Sequence, residues 1–227
     1  AASRNARTMS LSPPTFPFYG DNVVRAAFVI ALFGWGVGFY GPPVFLHAVL
    51  VRTGWSLPLG SAAVTFHFLF GAGVVALLPR IHRRFGVALA TLVGAFVLAI
   101  GVLGWAAAVE PWQLFVAAML TGGGWVPLGA AGINAMVSPW FVEKRPLALA
   151  KAYNGASVGG MVFSPLWAVL IDRVGFPVAG MMVGLCMITV VMSIATSELA
   201  RTPVVEGRAM GAAARPTAPP ALHSTLW

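Results

Sequence analysis

NAMVSPWFVEKRPLALAKAYNGASVGG, residues 134–160, decides how this chain must be read. It joins two long apolar runs through a compact knot of Pro139, Trp140, Phe141, Glu143, Lys144, Arg145 and Pro146. A short Lys/Arg loop edged by aromatics, between two runs of membrane-spanning length, reads as a cytoplasmic hairpin between transmembrane helices. A polar turn between two buried helices of a large soluble domain would look similar locally. Composition separates the two.

Of the 227 residues, 59% are hydrophobic and 9% are charged, where a soluble domain carries roughly 25% charged residues. So few charges cannot clothe a water-facing surface, and most of the outside must face lipid. The 14 Lys/Arg exceed the 6 Asp/Glu by eight. A basic excess spread over a soluble surface would suggest nucleic acid. Here it sits in short loops, which makes it a topology signal and excludes a nucleic-acid partner. Cys186 is the one cysteine. It lies in an apolar run and reads as packing. Residues 1–18 carry Arg4 and Arg7 but no apolar core before Pro13-Pro14, so they do not read as a signal peptide. The chain does not open on Met, as a fragment or a processed form would not.

Working outward from the hairpin, six runs have about the 20 residues that cross a ~30 Å hydrocarbon layer. They cover residues 23–50, 59–78, 87–109, 112–137, 147–171 and 176–196, within a transmembrane domain of 22–196. Residues 1–21 and 197–227 read as cytoplasmic tails, the second Ala/Pro-rich and disordered. Run one is broken by Gly34-Trp-Gly-Val-Gly38 and Gly41-Pro-Pro43, which predicts a kinked helix at a packed, cavity-facing place, or two short helices. Six crossings put both ends on one side. Only Arg52 and Arg173 of the 14 basic residues then fall on the other side, which places both termini in the cytoplasm of a cell (inner or plasma) membrane. The fold class is therefore all-α, a polytopic integral membrane protein.

The runs also repeat. Pro58 opens run two and Gly86 closes its loop, as Pro146 and Gly175 do for run five. Gly71-Ala-Gly-Val and Gly155-Ala-Ser-Val fall inside them. Runs two and five cross in opposite directions, so the relation is a 3+3 repeat of inverted topology, the pattern of secondary transporters.

At these residues the chain resembles the major facilitator superfamily, specifically the N-terminal six-helix half of its monocarboxylate-porter or oxalate/formate-antiporter branch. Asn134, Trp140-Phe141, Lys144-Arg145, Ala148-Leu-Ala150, Gly155 and Gly159 follow that branch's N…WF…R…A…G…G pattern, and Gly34-Trp-Gly-Val-Gly-Phe-Tyr40-Gly41-Pro42 its aromatic, Gly-rich first helix. The resemblance covers about residues 22–196. It implies alternating access around a midplane site and a small organic anion, a monocarboxylate or dicarboxylate, as cargo. It gives Arg80, Arg83 and Arg84 a place in the gating motif after run two, together with Trp140, Phe141, Lys144, Arg145, Gly155 and Gly159. The motif's expected Asp-Arg is replaced by Pro79-Arg80, so the acid of the usual lock is missing. Such transporters have two six-helix halves and this chain shows one. The rival expectation is a transporter-derived, non-transporting structural subunit of a larger membrane complex. A homodimer of halves is a third.

No metal-spaced His/Cys cluster, nucleophile elbow or phosphate loop points to an enzyme, a metal or a cofactor. Polar residues inside membrane spans are the default functional candidates. His67 could protonate or hold an anion, or be a satisfied packing histidine. Tyr40 could donate to a carboxylate, or sit as an interface aromatic. Asn134 and Asn154 read as helix-to-helix hydrogen bonds before substrate contacts. Arg25 and Lys151 read as snorkelling side chains; for an anionic substrate they are the positive charges on the spans that could attract it. Runs one, two, four and five should carry the polar inner face, with three and six peripheral and three the most lipid-facing.

Overall fold

The computed structural model describes residues 19–201. Among the described residues it is all-helical, and six helical stretches are long and apolar enough to cross a membrane. Span 1, Gly20–Thr53, consists of α1 (Gly20–Phe33), a π-helical stretch (Gly34–Phe39) and α2 (Gly41–Thr53). Spans 2 and 3 are α3 (Leu57–Phe85) and α4 (Val87–Ala107). Span 4, Pro111–Trp140, is α5 (Pro111–Trp125), a 3₁₀ turn (Val126–Leu128), α6 (Ala130–Val137) and a second 3₁₀ turn (Ser138–Trp140). Spans 5 and 6 are α7 (Arg145–Val174) and α8 (Phe176–Ser197). Of the tails expected at 1–21 and 197–227, residues 1–18 and 202–227 lie outside the described residues.

The break expected in span 1 is a π-helical segment followed by Pro42 and Pro43 in the first turn of α2. Proline has no N–H, so it fits the first turn of a helix and releases carbonyls one turn earlier. The basic segment 79–86, read as a loop, is helical as far as Phe85. Pro79 sits inside α3 without ending it. At about 1.5 Å per residue, this 29-residue helix outruns the hydrocarbon layer. Its last turns, with Arg80, Arg83 and Arg84, therefore stand at the membrane edge, where cations also favour a helix C-terminus.

Spans pack through glycine. α1 and α7 run parallel, and side chains added at Gly155 and Gly159 would collide with the carbonyls of Phe28 and Leu32. α3 and α5 make the equivalent parallel seam, where Gly122 lies on the His67 carbonyl and a Cβ on Gly71 would stand 2.8 Å from the Gly122 oxygen. Without a hydrophobic drive between helices in lipid, such backbone approach supplies the van der Waals contact that holds them. α4 lies antiparallel to α5 through Gly94, Gly101 and Gly104, and to α8 through Gly180 and Gly184.

These pairings carry the inverted repeat into three dimensions. Exchanging the two sets of three spans turns the span 1–span 5 seam into the span 4–span 2 seam, and span 3 against span 6 into itself. Pro58 and Pro146 each stand in the first turn of their helix. Gly86 and Gly175 close those helices with nearly identical backbone angles, φ 81°, ψ 162° and φ 81°, ψ 155°. Both lie at positive φ, which glycine adopts without steric cost.

Burial corrects one expectation. Within their most apolar windows, spans 1 and 4 are 61% and 56% buried, span 3 44%, and spans 2 and 5 only 22% and 28%. Span 3 does present a lipid-facing stripe, Leu89, Val93, Phe96 and Ile100. Its opposite face is packed, and the most exposed spans are 2 and 5. The reason is composition. α4 is lined with small residues on the face that meets both α5 and α8, whereas α3 and α7 each spend one narrow glycine stripe on a single neighbour. Arg52, read as a turn residue, donates to the Ala108 carbonyl (2.7 Å) and the Trp105 carbonyl (3.4 Å), closing the C-terminus of α4.

Candidate functional site: an aromatic wall across spans 1, 2, 4 and 5

The π-helical stretch turns Trp35 and Phe39 towards spans 2, 4 and 5, where they start a chain of ring contacts. Trp35 meets Trp125 edge-on at 5.9 Å and Tyr153 at 6.0 Å. Phe39 meets Tyr40 at 5.1 Å, Phe68 at 5.5 Å and Trp125 at 5.9 Å. Centroid spacings of this size and edge-to-face tilts are the favoured aromatic geometries. The wall thus takes rings from spans 1, 2, 4 and 5, the four expected to form the inner face. It is partly open: Phe39 is 39% exposed and Tyr40 36%. Gly160 makes room for the Tyr40 ring, which a Cβ there would touch at 2.5 Å.

A polar group borders the wall. Asn134 Nδ2 donates to the Tyr153 hydroxyl (2.6 Å) and the Ala130 carbonyl (2.9 Å), and the Tyr153 hydroxyl donates to the same carbonyl (3.0 Å). This network ties α6 to α7, as expected for Asn134, and leaves the exposed amide oxygen of Asn134 as an acceptor.

Behind the wall lies His67, fully buried. Its Nδ1 is 2.8 Å from the Thr121 hydroxyl, which also receives the indole N–H of Trp105 (3.2 Å) and lies 3.0 Å from the Ala117 carbonyl. The structure therefore gives His67 a packed environment that joins spans 2, 3 and 4. Thr121 and Trp105 were not singled out from sequence, because an apolar run does not show which of its few polar atoms will meet.

The remaining candidates are dispersed. Lys151, Asn154 and Arg25 are exposed. At about 100° per residue, Lys151 points some 160° away from Tyr153 around α7, so it does not share the wall's face. The constant register of α1 on α7 (Phe28 with Gly155, Leu32 with Gly159) places Arg25 at the depth of Ala152, beside Lys151. Arg80 and Arg83 are exposed, with no ion pair to an acid among the described residues, and Arg84 lies 5.4 Å over the Phe85 ring. In the hairpin, Arg145 Nε donates to the Phe141 carbonyl (3.3 Å), Trp140 packs on Tyr19 at 5.6 Å, and exposed Lys144 precedes the first turn of α7. Gly155 and Gly159 form the α1–α7 seam. Tyr40 alone of the proposed substrate residues borders the wall's open surface. Trp35, Trp125, Phe68 and Tyr153, which build that surface, are new. Their signal was the clustering of aromatics with glycines in runs one, two, four and five.

Compared with known proteins, the chain is 31% identical over 139 residues to MFS-type transporter 1 of Ophiocordyceps sp. (strain BCC 1869). The similarity supports a place in the major facilitator superfamily. The matched stretch is 59% of this chain and 29% of that protein, so the chain spans well under half the length of its relative. No family model matches, and no solved structure matches. The similarity and the six apolar helices together describe a multi-pass membrane protein.

Proposed function

We propose that this chain supplies one six-helix half of a major-facilitator-type secondary transporter of the monocarboxylate-porter or oxalate/formate-antiporter branch, and that its aromatic wall lines one side of the substrate path. The observation that carries the reading is the wall itself. Rings from spans 1, 2, 4 and 5 converge on a partly open surface in the bilayer interior, where lipid alone would give aromatic side chains no reason to gather. The exposed faces of α3 and α7, with Leu69 67% and Met161 76% exposed, are where a second half would close the path. The cargo is a small organic anion, a monocarboxylate or dicarboxylate. Its carbon skeleton packs on the ring faces, and Arg25 and Lys151 draw it in from the cytoplasmic side. Transport is by alternating access, the two halves rocking about the wall.

The test is purification in mild detergent followed by thermal unfolding with a panel of mono- and dicarboxylates. A carboxylate-dependent rise in Tm, lowered by Trp35→Ala, is the expected outcome. Stoichiometric co-purification with a large complex and no carboxylate effect would overturn transport and favour a structural subunit.

A further inference from the structure

The π-helical stretch of span 1 redirects a hydrogen bond that an α-helix would keep. The Tyr40 N–H at its end donates to the Trp35 carbonyl, five residues back, at 2.8 Å. In an α-helix the same N–H would serve Gly36, four residues back. The Gly36 carbonyl therefore loses its α-helical donor in the bilayer interior, where no bulk water replaces it. A side chain does. The Trp167 indole on α7 donates to the Gly36 carbonyl at 3.1 Å. Trp167 is fully buried, and its ring N–H can only donate, so the two groups satisfy each other.

The surroundings fit this exchange. Gly34, Gly36 and Gly38 bring the π-helical turn close against spans 4 and 5, where added Cβ atoms would meet the Leu128 carbonyl, the Phe163 ring and the Trp125 side chain. Phe163 lies one turn before Trp167 on α7, so two successive turns of α7 meet this stretch at Gly36. Beyond the break, the buried ring of Phe45 on α2 packs edge-on against the Trp167 ring at 4.8 Å. Trp167 thus holds α2 by its ring and the π-helical stretch by its N–H.

Winding decides where Tyr40 goes. Five residues of α-helix would leave Tyr40 roughly 140° around the axis from Trp35. With an i→i+5 bond it lies one wider turn above Trp35 instead. There it packs against Phe39 at 5.1 Å and in the space left by Gly160. We propose that Trp167 is the positioning residue of the aromatic wall: its N–H on the Gly36 carbonyl selects the π-helical register of span 1 over the α-helical one, and that register brings Tyr40 onto the face of Trp35. The register is a property of span 1 and its neighbours; only its consequence for a carboxylate rests on the function proposed above.

Solid-state NMR of the full chain in lipid bilayers, with ¹⁵N-indole tryptophan and ¹³C-labelled glycine and tyrosine, tests it. The unaltered protein should show a contact from Trp167 Nε1 to the Gly36 carbonyl carbon, and one from the Tyr40 ring to Gly160 Cα, the latter assigned by its loss in Tyr40→Phe. Trp167→Phe keeps a packing ring and removes the donor. It should lose the Tyr40–Gly160 contact and keep the Trp35–Tyr153 contact, made at the start of the stretch. Trp167→His returns a ring N–H, because imidazole Nε2 takes the place of indole Nε1 in the five-membered ring, and should restore the Tyr40–Gly160 contact. Absence of the Trp167–Gly36 contact from the unaltered protein would overturn the proposal. So would a Tyr40–Gly160 contact that is alike in the two Trp167 variants, kept by both or lost by both. The carboxylate-dependent rise in Tm should follow the same order, lost in Trp167→Phe and regained in Trp167→His. Its absence from the unaltered protein would count against the proposed function and leave the register to be decided by the NMR contacts.

Discussion

A glycine in this protein is read by what stands opposite it. Gly155 has the Phe28 backbone carbonyl against its α-hydrogens, and a side chain there must push α1 from α7. Gly73, on the exposed side of α3, has nothing within 4 Å. The two therefore predict opposite outcomes. Gly155→Val should lower the melting temperature in detergent by an amount equivalent to about 1–3 kcal/mol, as overpacking does. Gly73→Ala should raise stability by about 0.5–1 kcal/mol, because alanine loses less backbone entropy in a helix. Equal effects from the two would show that the α1–α7 seam is not held by backbone approach. Thr121 belongs to the same scale. It is the hub for the Trp105 and His67 rings, and Thr121→Val keeps its shape but removes its oxygen. The Trp105 N–H would then lose its acceptor and His67 Nδ1 its hydrogen-bond partner, at about 1–3 kcal/mol each, and the melting temperature should fall sharply.

At the scale of elements, the helix ends decide the lengths. α4 ends where Arg52 of α2 donates to the Ala108 carbonyl, a charge-assisted bond at the negative end of a helix dipole. Arg52→Met keeps the aliphatic stem and removes the donors, and is expected to cost about 1–2 kcal/mol. Hydrogen exchange should localise the change to residues 104–108; protection unchanged there would exclude the capping role. Conversely, α3 passes through Pro79, where a proline was expected to begin a loop. A proline in an otherwise apolar helix is tolerated when neighbouring helices and local adjustment re-satisfy the freed backbone groups, and sequence alone does not say when that condition holds.

For the whole molecule, orientation follows from charge and is directly measurable. In a Cys186→Ala background, a single cysteine at Glu143 in the hairpin should react with a membrane-impermeant maleimide only from the cytoplasmic side. One at Glu110, in the turn between α4 and α5, should react only from the opposite side. Labelling of both from one side would overturn the six-crossing topology. Cys186 itself is exposed on α8, so its replacement should leave the fold intact. The two least buried spans, 2 and 5, occupy corresponding places in the two sets of three. Inverted symmetry thus leaves two equivalent exposed faces.

Composition, the length of the apolar runs and the placement of Lys and Arg settled the all-α membrane class and the six crossings. Each is a transfer free energy that a residue contributes wherever it lies along a span. The inverted repeat was also legible, through Pro58 and Pro146 and through Gly86 and Gly175, because proline and glycine constrain the backbone locally. What only the tertiary structure decided was which residues meet. Trp35, Phe39, Phe68, Trp125 and Tyr153 come from four spans to make one wall, and His67, Thr121 and Trp105 from three to make one buried network. Lys151, near in sequence to Tyr153, faces away from it. In a run where nearly every residue is apolar, hydrophobic periodicity does not mark an inner face. That face is chosen by where glycines let backbones approach, and the approach involves two helices at once.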